Sequence, residues 1–118
     1  MIDNMTKKTI AIDFDGVIHK YSKGWQNGEI YDEPVEGALE AIVELLIRGY
    51  KVSIFTTREY TAVVKNWIID KMYECKAIEG KPFYIDDFEV TNKKPPAIAY
   101  IDDRGIRFTN WKDMMNYF

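Results

Sequence analysis

Apolar and polar positions in this chain switch between two periodicities, and each switch marks an element. Thr9-Ile10-Ala11-Ile12 is apolar on both faces, as in a central parallel strand covered on each side, and it stops at Asp13-Phe14-Asp15-Gly16. After a polar and aromatic stretch from about Lys20 to Glu33, Pro34 and Gly37 open a segment in which Ala38, Leu39, Ile42, Leu45 and Leu46 recur at helical spacing, and Gly49 supplies a stop. Val52-Ser53-Ile54-Phe55 predicts a second strand ending at Thr56-Thr57-Arg58. Tyr60, Val64, Trp67, Ile68 and Met72 predict a second helix with one apolar stripe. Between Ala77 and Pro96, strand patterns around Phe83 to Ile85 and Phe88 to Thr91 are broken by Asp86-Asp87. Ala97-Ile98-Ala99-Tyr100-Ile101 predicts a further buried strand, ending at Asp102-Asp103-Arg104-Gly105. Asn110 then caps a short terminal helix carrying Trp111, Met114, Met115 and Phe118. Strands alternating with helices predict an α/β fold with a mainly parallel sheet, and without repeats or linkers the 118 residues read as one domain.

Composition narrows the function more than the fold. With 47% hydrophobic and 14% aromatic residues, the chain has enough apolar surface to bury a core, which excludes disordered and low-complexity classes. A net charge of -3 argues against a protein whose main work is gripping nucleic-acid phosphates. Cys75 is the single cysteine, so no internal disulfide is possible and a reducing compartment is expected. Met1 to Lys8 lacks the hydrophobic region of a secretory signal, and no apolar run approaches the roughly 18 residues of a membrane span. The expectation is a cytoplasmic protein with no membrane partner.

The predicted strands end in matching chemistry: carboxylates at Asp13 and Asp15, a hydroxyl at Thr56, and carboxylates at Asp102 and Asp103. In a parallel sheet these ends share one edge, and the carboxyl edge is where open α/β folds bind ligands. Four carboxylates in one crevice repel one another unless a cation neutralises them. An all-oxygen donor set without paired His or Cys suits a hard ion, and Mg2+ fits best. A carboxylate beside that ion can attack phosphorus, which makes Asp13 the candidate nucleophile and Asp15 the candidate acid and base. Thr56, with Thr57 as the alternative, can donate to a phosphoryl oxygen. Lys93 or Lys94 can neutralise the remaining charge, Lys94 being preferred because it directly precedes Pro95.

Asp13-Phe14-Asp15-Gly16-Val17, Phe55-Thr56, Lys94-Pro95 and Ile101-Asp102-Asp103 resemble, in order, the four motifs of the haloacid dehalogenase superfamily in its phosphatase branch. The resemblance spans about residues 9 to 104. It implies a three-layer α/β/α Rossmann-like fold and a Mg2+-dependent phosphomonoesterase working through an aspartyl phosphate on Asp13. It further implies that Asp15 lends its backbone carbonyl to the metal, that Asp102 is a side-chain ligand, and that Asp103 is a more distant or water-mediated one. No large insert follows the first or second motif, so the cap domain of many relatives is expected to be absent. The segment between Lys94 and Asp102 is also too short for the helix usually found there.

Tyr84-Ile85-Asp86-Asp87 repeats the tetrad Tyr100-Ile101-Asp102-Asp103, and the later pair is preferred because it ends the clearer strand. The stretch from Tyr21 to Tyr31 reads as a hairpin flap with Asn27-Gly28 at its turn, placing Trp25 and Tyr31 near the site either to stack on a substrate ring or to cover the sheet edge. Arg58 reads equally as a contact to a substrate anion or as a solvated surface residue, and His19 as structural. The expected function is hydrolysis of a small-molecule phosphate ester. The rivals are a noncatalytic, receiver-like phosphate-responsive module and a phosphatase of nucleic-acid ends.

Overall fold

A computed structural model describes residues 8–80, 88–102 and 106–118. Its centre is a five-stranded sheet built from β1 (Thr9–Asp13), β2 (Lys51–Phe55), β3 (Phe88–Thr91), β4 (Ala99–Asp102) and β5 (Ile106–Arg107). The order across the sheet is β3-β2-β1-β4-β5, and every pairing is parallel. This is the strand order of a Rossmann-like sheet, in which the chain builds outward from β1 in one direction and then crosses back to build in the other. The protein is therefore an α/β protein, as the alternation of periods predicts. The expected strand from Phe83 to Ile85 and the pair Asp86-Asp87 lie outside the described residues.

The central strand is buried on both faces because both faces are apolar: Ile10, Ala11 and Ile12 are almost wholly enclosed. Helix α1 (Ala38–Ile47) buries Leu39, Ile42, Val43 and Leu45, while α2 (Thr61–Glu74) buries only Val64, Ile68 and Met72. Both crossovers, β1-α1-β2 and β2-α2-β3, step the same way across the sheet. The right-handed rule for such units then sends both helices to one face, and the two touch each other. Trp67 packs at the core margin, as its place in the stripe requires. Tyr60 does not, because it is the N-cap of α2, its backbone is still outside the helix, and its ring is solvent-exposed.

At the C-terminal end, β4 begins two residues later than the sequence pattern suggests, and the two-residue β5 adds an edge that no periodicity could reveal. Asn110 caps α3 (Trp111–Met114), accepting the Asp113 amide at 2.9 Å. Trp111 and Met114 are buried, and the Trp111 indole N–H donates to the Val17 carbonyl at 3.2 Å. The terminal helix thereby fixes the loop that follows β1. No helix among the described residues is long and apolar enough to cross a membrane.

Candidate active site

The sheet order reverses between β1 and β4, and that switch point is where open α/β sheets offer a ligand crevice beyond their carboxyl ends. Ile12 pairs with Ile101, so the next residue on each strand sets Asp13 beside Asp102 at a strand spacing of about 4.8 Å. On the other side, Asp13 pairs with Phe55, and Thr56 follows at once. The three strand ends thus line up as Phe55, Asp13 and Asp102, with Thr56 one residue beyond Phe55. In front of them lies a crevice of about 140 Å³ lined by Asp13, Phe14, Asp15, Phe55, Thr56 and Thr57. Thr56 is buried and accepts the Arg58 amide at 3.1 Å on its Oγ1, which leaves the hydroxyl hydrogen able to donate elsewhere. Thr57 lines the same crevice but is exposed.

Asp15 stands one turn away from that row. Gly16 takes a left-handed conformation (φ 87°), and the chain curls so tightly that the Phe14 carbonyl accepts the amides of Val17, Ile18 and His19. The curl brings the His19 ring back under Asp15. His19 Nδ1 lies 2.9 Å from Asp15 Oδ1, while its Nε2 accepts the Asp32 amide at 3.0 Å, so the ring proton sits on Nδ1 and is donated to Asp15. Arg58 grips the same carboxylate as a fork, Nε to Oδ2 and a terminal nitrogen to Oδ1, both at 3.0 Å. Its remaining terminal nitrogen donates to the Gly28 carbonyl at 2.7 Å. Both Arg58 and His19 are buried, with Phe14 stacked on the His19 ring and Phe14, Tyr21 and Trp25 around the guanidinium. Arg58 is therefore not the solvated surface residue of one sequence reading, and its charge is set against Asp15 rather than shown on a substrate anion.

The lysines divide clearly. Lys94 Nζ lies 3.7 Å from Asp102 Oδ2 and 4.7 Å from the centre of the Tyr100 ring. Lys93 instead engages Thr91 through its backbone, its amide and carbonyl both meeting the Thr91 hydroxyl, and its side chain is exposed. Asp103 lies outside the described residues. The protein therefore answers part of its own electrostatic problem, with Arg58 set against Asp15 and Lys94 against Asp102. Among the described residues, no cluster of three or more His, Cys, Asp or Glu is arranged to hold a metal. The carboxylates of Asp13 and Asp102 lie at the switch point, with the Asp15 carbonyl in the loop after β1. That oxygen-only set fits Mg2+, which keeps several waters and commonly takes only one or two protein carboxylates beside a substrate phosphate. The Asp15 carboxylate itself is engaged by Arg58 and His19.

The flap is an ordered loop without strands. Asn27 (φ 54°) and Gly28 (φ 83°) form the expected turn, closed by the Glu29 amide on the Gln26 carbonyl. The segment is closed at its base by the Lys20 amide on the Glu33 carbonyl. Tyr31 is used inside the loop, accepting the Lys23 amide and donating to the Gly24 carbonyl. Asp32 accepts the hydroxyl and amide of Ser22 and the amide of Glu33, and these bonds, those of Ser22 first, bring its carboxyl down from its ordinary 3.8 to about 2. Comparison with family models, curated proteins and solved structures returns no match for this chain.

Proposed function

We propose that this chain is a small phosphatase of the haloacid dehalogenase type, a three-layer α/β/α protein without a large cap that hydrolyses a phosphomonoester with the help of Mg2+. The observation that carries the reading is the meeting of Asp13, Thr56, Lys94 and Asp102 at the switch point of a parallel sheet, from four separate parts of the sequence. An Asp13 oxygen attacks phosphorus while the ester oxygen departs, leaving a phosphoryl group on Asp13. A proton from Asp15 goes to the departing oxygen. Asp15 then takes a proton from a water whose oxygen attacks the phosphoryl group, freeing phosphate and restoring Asp13. Thr56 donates to a phosphoryl oxygen, and Lys94 balances charge beside Asp102. The Asp13 and Asp102 side chains with the Asp15 carbonyl would hold the ion, which when bound neutralises phosphoryl oxygens as a Lewis acid.

Asp15 receives two hydrogen bonds on Oδ1 and one on Oδ2, so the clamp leaves Oδ2 as the oxygen with a place for the proton. The clamp therefore governs how Asp15 works as well as where it points. The receiver-like alternative calls for a sheet ordered 2-1-3-4-5, and the order here counts against it. Steady-state hydrolysis of a panel of phosphate esters with Mg2+, repeated with Asp13→Asn, tests the proposal. Turnover abolished by the substitution is expected, and normal turnover by the variant overturns the assignment.

A further inference from the structure

Beside the carboxylate crevice lies a second cavity, of about 290 Å³, between the flap and the start of α2. That is close to the lower end of the range in which proteins hold small organic ligands, roughly 300–1,000 Å³. Its walls include Trp25 and Ile30 from the flap, Tyr60 at the N-cap of α2, Val63 within that helix, and Arg58. Seven large apolar side chains are strongly exposed among the described residues, and three of them, Trp25, Tyr60 and Val63, line this one cavity. Scattered exposed apolar groups need no explanation, whereas a concentration around a cavity does.

The walls are held in place. Trp25 has the Arg58 guanidinium 5.4 Å from its ring centre on one side. On another, Gly28 sits so close that an added Cβ would lie 3.6 Å from the ring. Arg58 is in turn fixed by Asp15 and by the Gly28 carbonyl. The 3.0 Å fork between Arg58 and Asp15 ties the linings of the two cavities together, since Asp15 belongs to the first and Arg58 to the second. An acid must stand beside the oxygen it protonates, so the oxygen of a leaving group served by Asp15 lies close to Arg58, a residue of the second cavity's wall.

We propose that the cavity receives the leaving group of the substrate and that this group carries a nucleobase, making the substrate a nucleoside monophosphate. The inference rests on the phosphatase reading above. A base is flat enough to lie against the Trp25 and Tyr60 rings, and stacking of this kind tolerates any base. Asn27 and Glu59, which also line the cavity, add an amide and a carboxylate, the two chemistries that pair with base edges.

Two measurements on the intact chain test this and keep the two readings apart. In the first, kcat/KM is compared for adenosine monophosphate and glycerol phosphate with Mg2+, in the native protein and in Trp25→Ala and Tyr60→Ala. The nucleotide is expected to be preferred at least about tenfold, and each variant that folds to lower that ratio about five- to tenfold. Equal use of both esters, or a ratio unmoved in the variants, overturns the base site while leaving the phosphatase reading standing. In the second, adenosine, which has no phosphate, is titrated into the labelled protein and amide shifts are followed by NMR. Shifts confined to residues 25–30 and 58–64 support the site even if no ester is turned over, an outcome that would sink the phosphatase reading alone. Shifts elsewhere, or none, overturn the site.

Discussion

The two acidic halves of the crevice are built differently. Asp15 is gripped by a buried arginine fork and a buried histidine, each of which is itself tied to the flap, so its carboxylate has one position. Asp102 has a half-exposed lysine 3.7 Å away, beyond good hydrogen-bonding distance. A buried charge pair is costly to break, because removing one partner strands the other, whereas an exposed lysine pair contributes at most about 1 kcal/mol. The first half is therefore part of the architecture, whereas the Lys94 contact of the second is weak enough to be exchanged for a ligand. This difference makes stability and activity separable by mutation.

The largest effect belongs to the residue between the halves. Asp13→Asn is expected to reduce phosphomonoester turnover at least about a thousandfold with an unchanged circular dichroism spectrum, as loss of a nucleophile does. Next, Arg58→Ala is expected to cost about 3 kcal/mol of stability, a fall in Tm of roughly 10 °C by calorimetry. Arg58→Lys, which keeps the charge and loses the fork, is expected to recover only part of this. Lys94→Ala is expected to do the reverse, lowering kcat about a hundredfold with stability changed by less than about 1 kcal/mol. If Lys94→Ala destabilised the fold as much as Arg58→Ala, the division between the halves would be mistaken.

The smallest effect is at the flap base. The folded carboxyl of Asp32 titrates near 2 against 3.8 when free. Its contribution to holding the flap is therefore fully present above about 3.8 and is lost as pH falls through about 2. An NMR titration of Asp32 is expected to have its midpoint near 2, and Ser22→Ala, which removes the largest cause of the lowering, to move that midpoint upward.

What the sequence made legible follows from which physical signals are local. Asp13, Thr56 and Asp102 each end an apolar run, and a parallel sheet brings such ends to one edge whatever the connections between them. The clamp on Asp15 was not legible in the same way. Arg58 and Asp15 are 43 residues apart and no periodicity links them, while the i,i+4 spacing of Asp15 and His19 carries no special meaning outside a helix. A buried histidine four residues after the key carboxylate and an arginine immediately beyond the second strand were the available signals, and their value appears only once the Gly16 curl is known. The Asn27-Gly28 turn was readable because its two positive φ angles demand those residue types. The absence of flanking strands was not, since side-chain bonds from Tyr31 and Asp32 order the loop instead. β5, with two residues, is too short to leave any pattern.

The most direct test of the central claim is to mix the protein with a phosphomonoester and Mg2+, quench in acid, and determine by peptide mass spectrometry whether a phosphoryl group is attached. The account predicts an acyl phosphate on the peptide containing Asp13, formed within one turnover and absent from Asp13→Asn. Rapid ester hydrolysis with no phosphorylated peptide at any quench time, and with Asp13→Asn as active as the native chain, would contradict it.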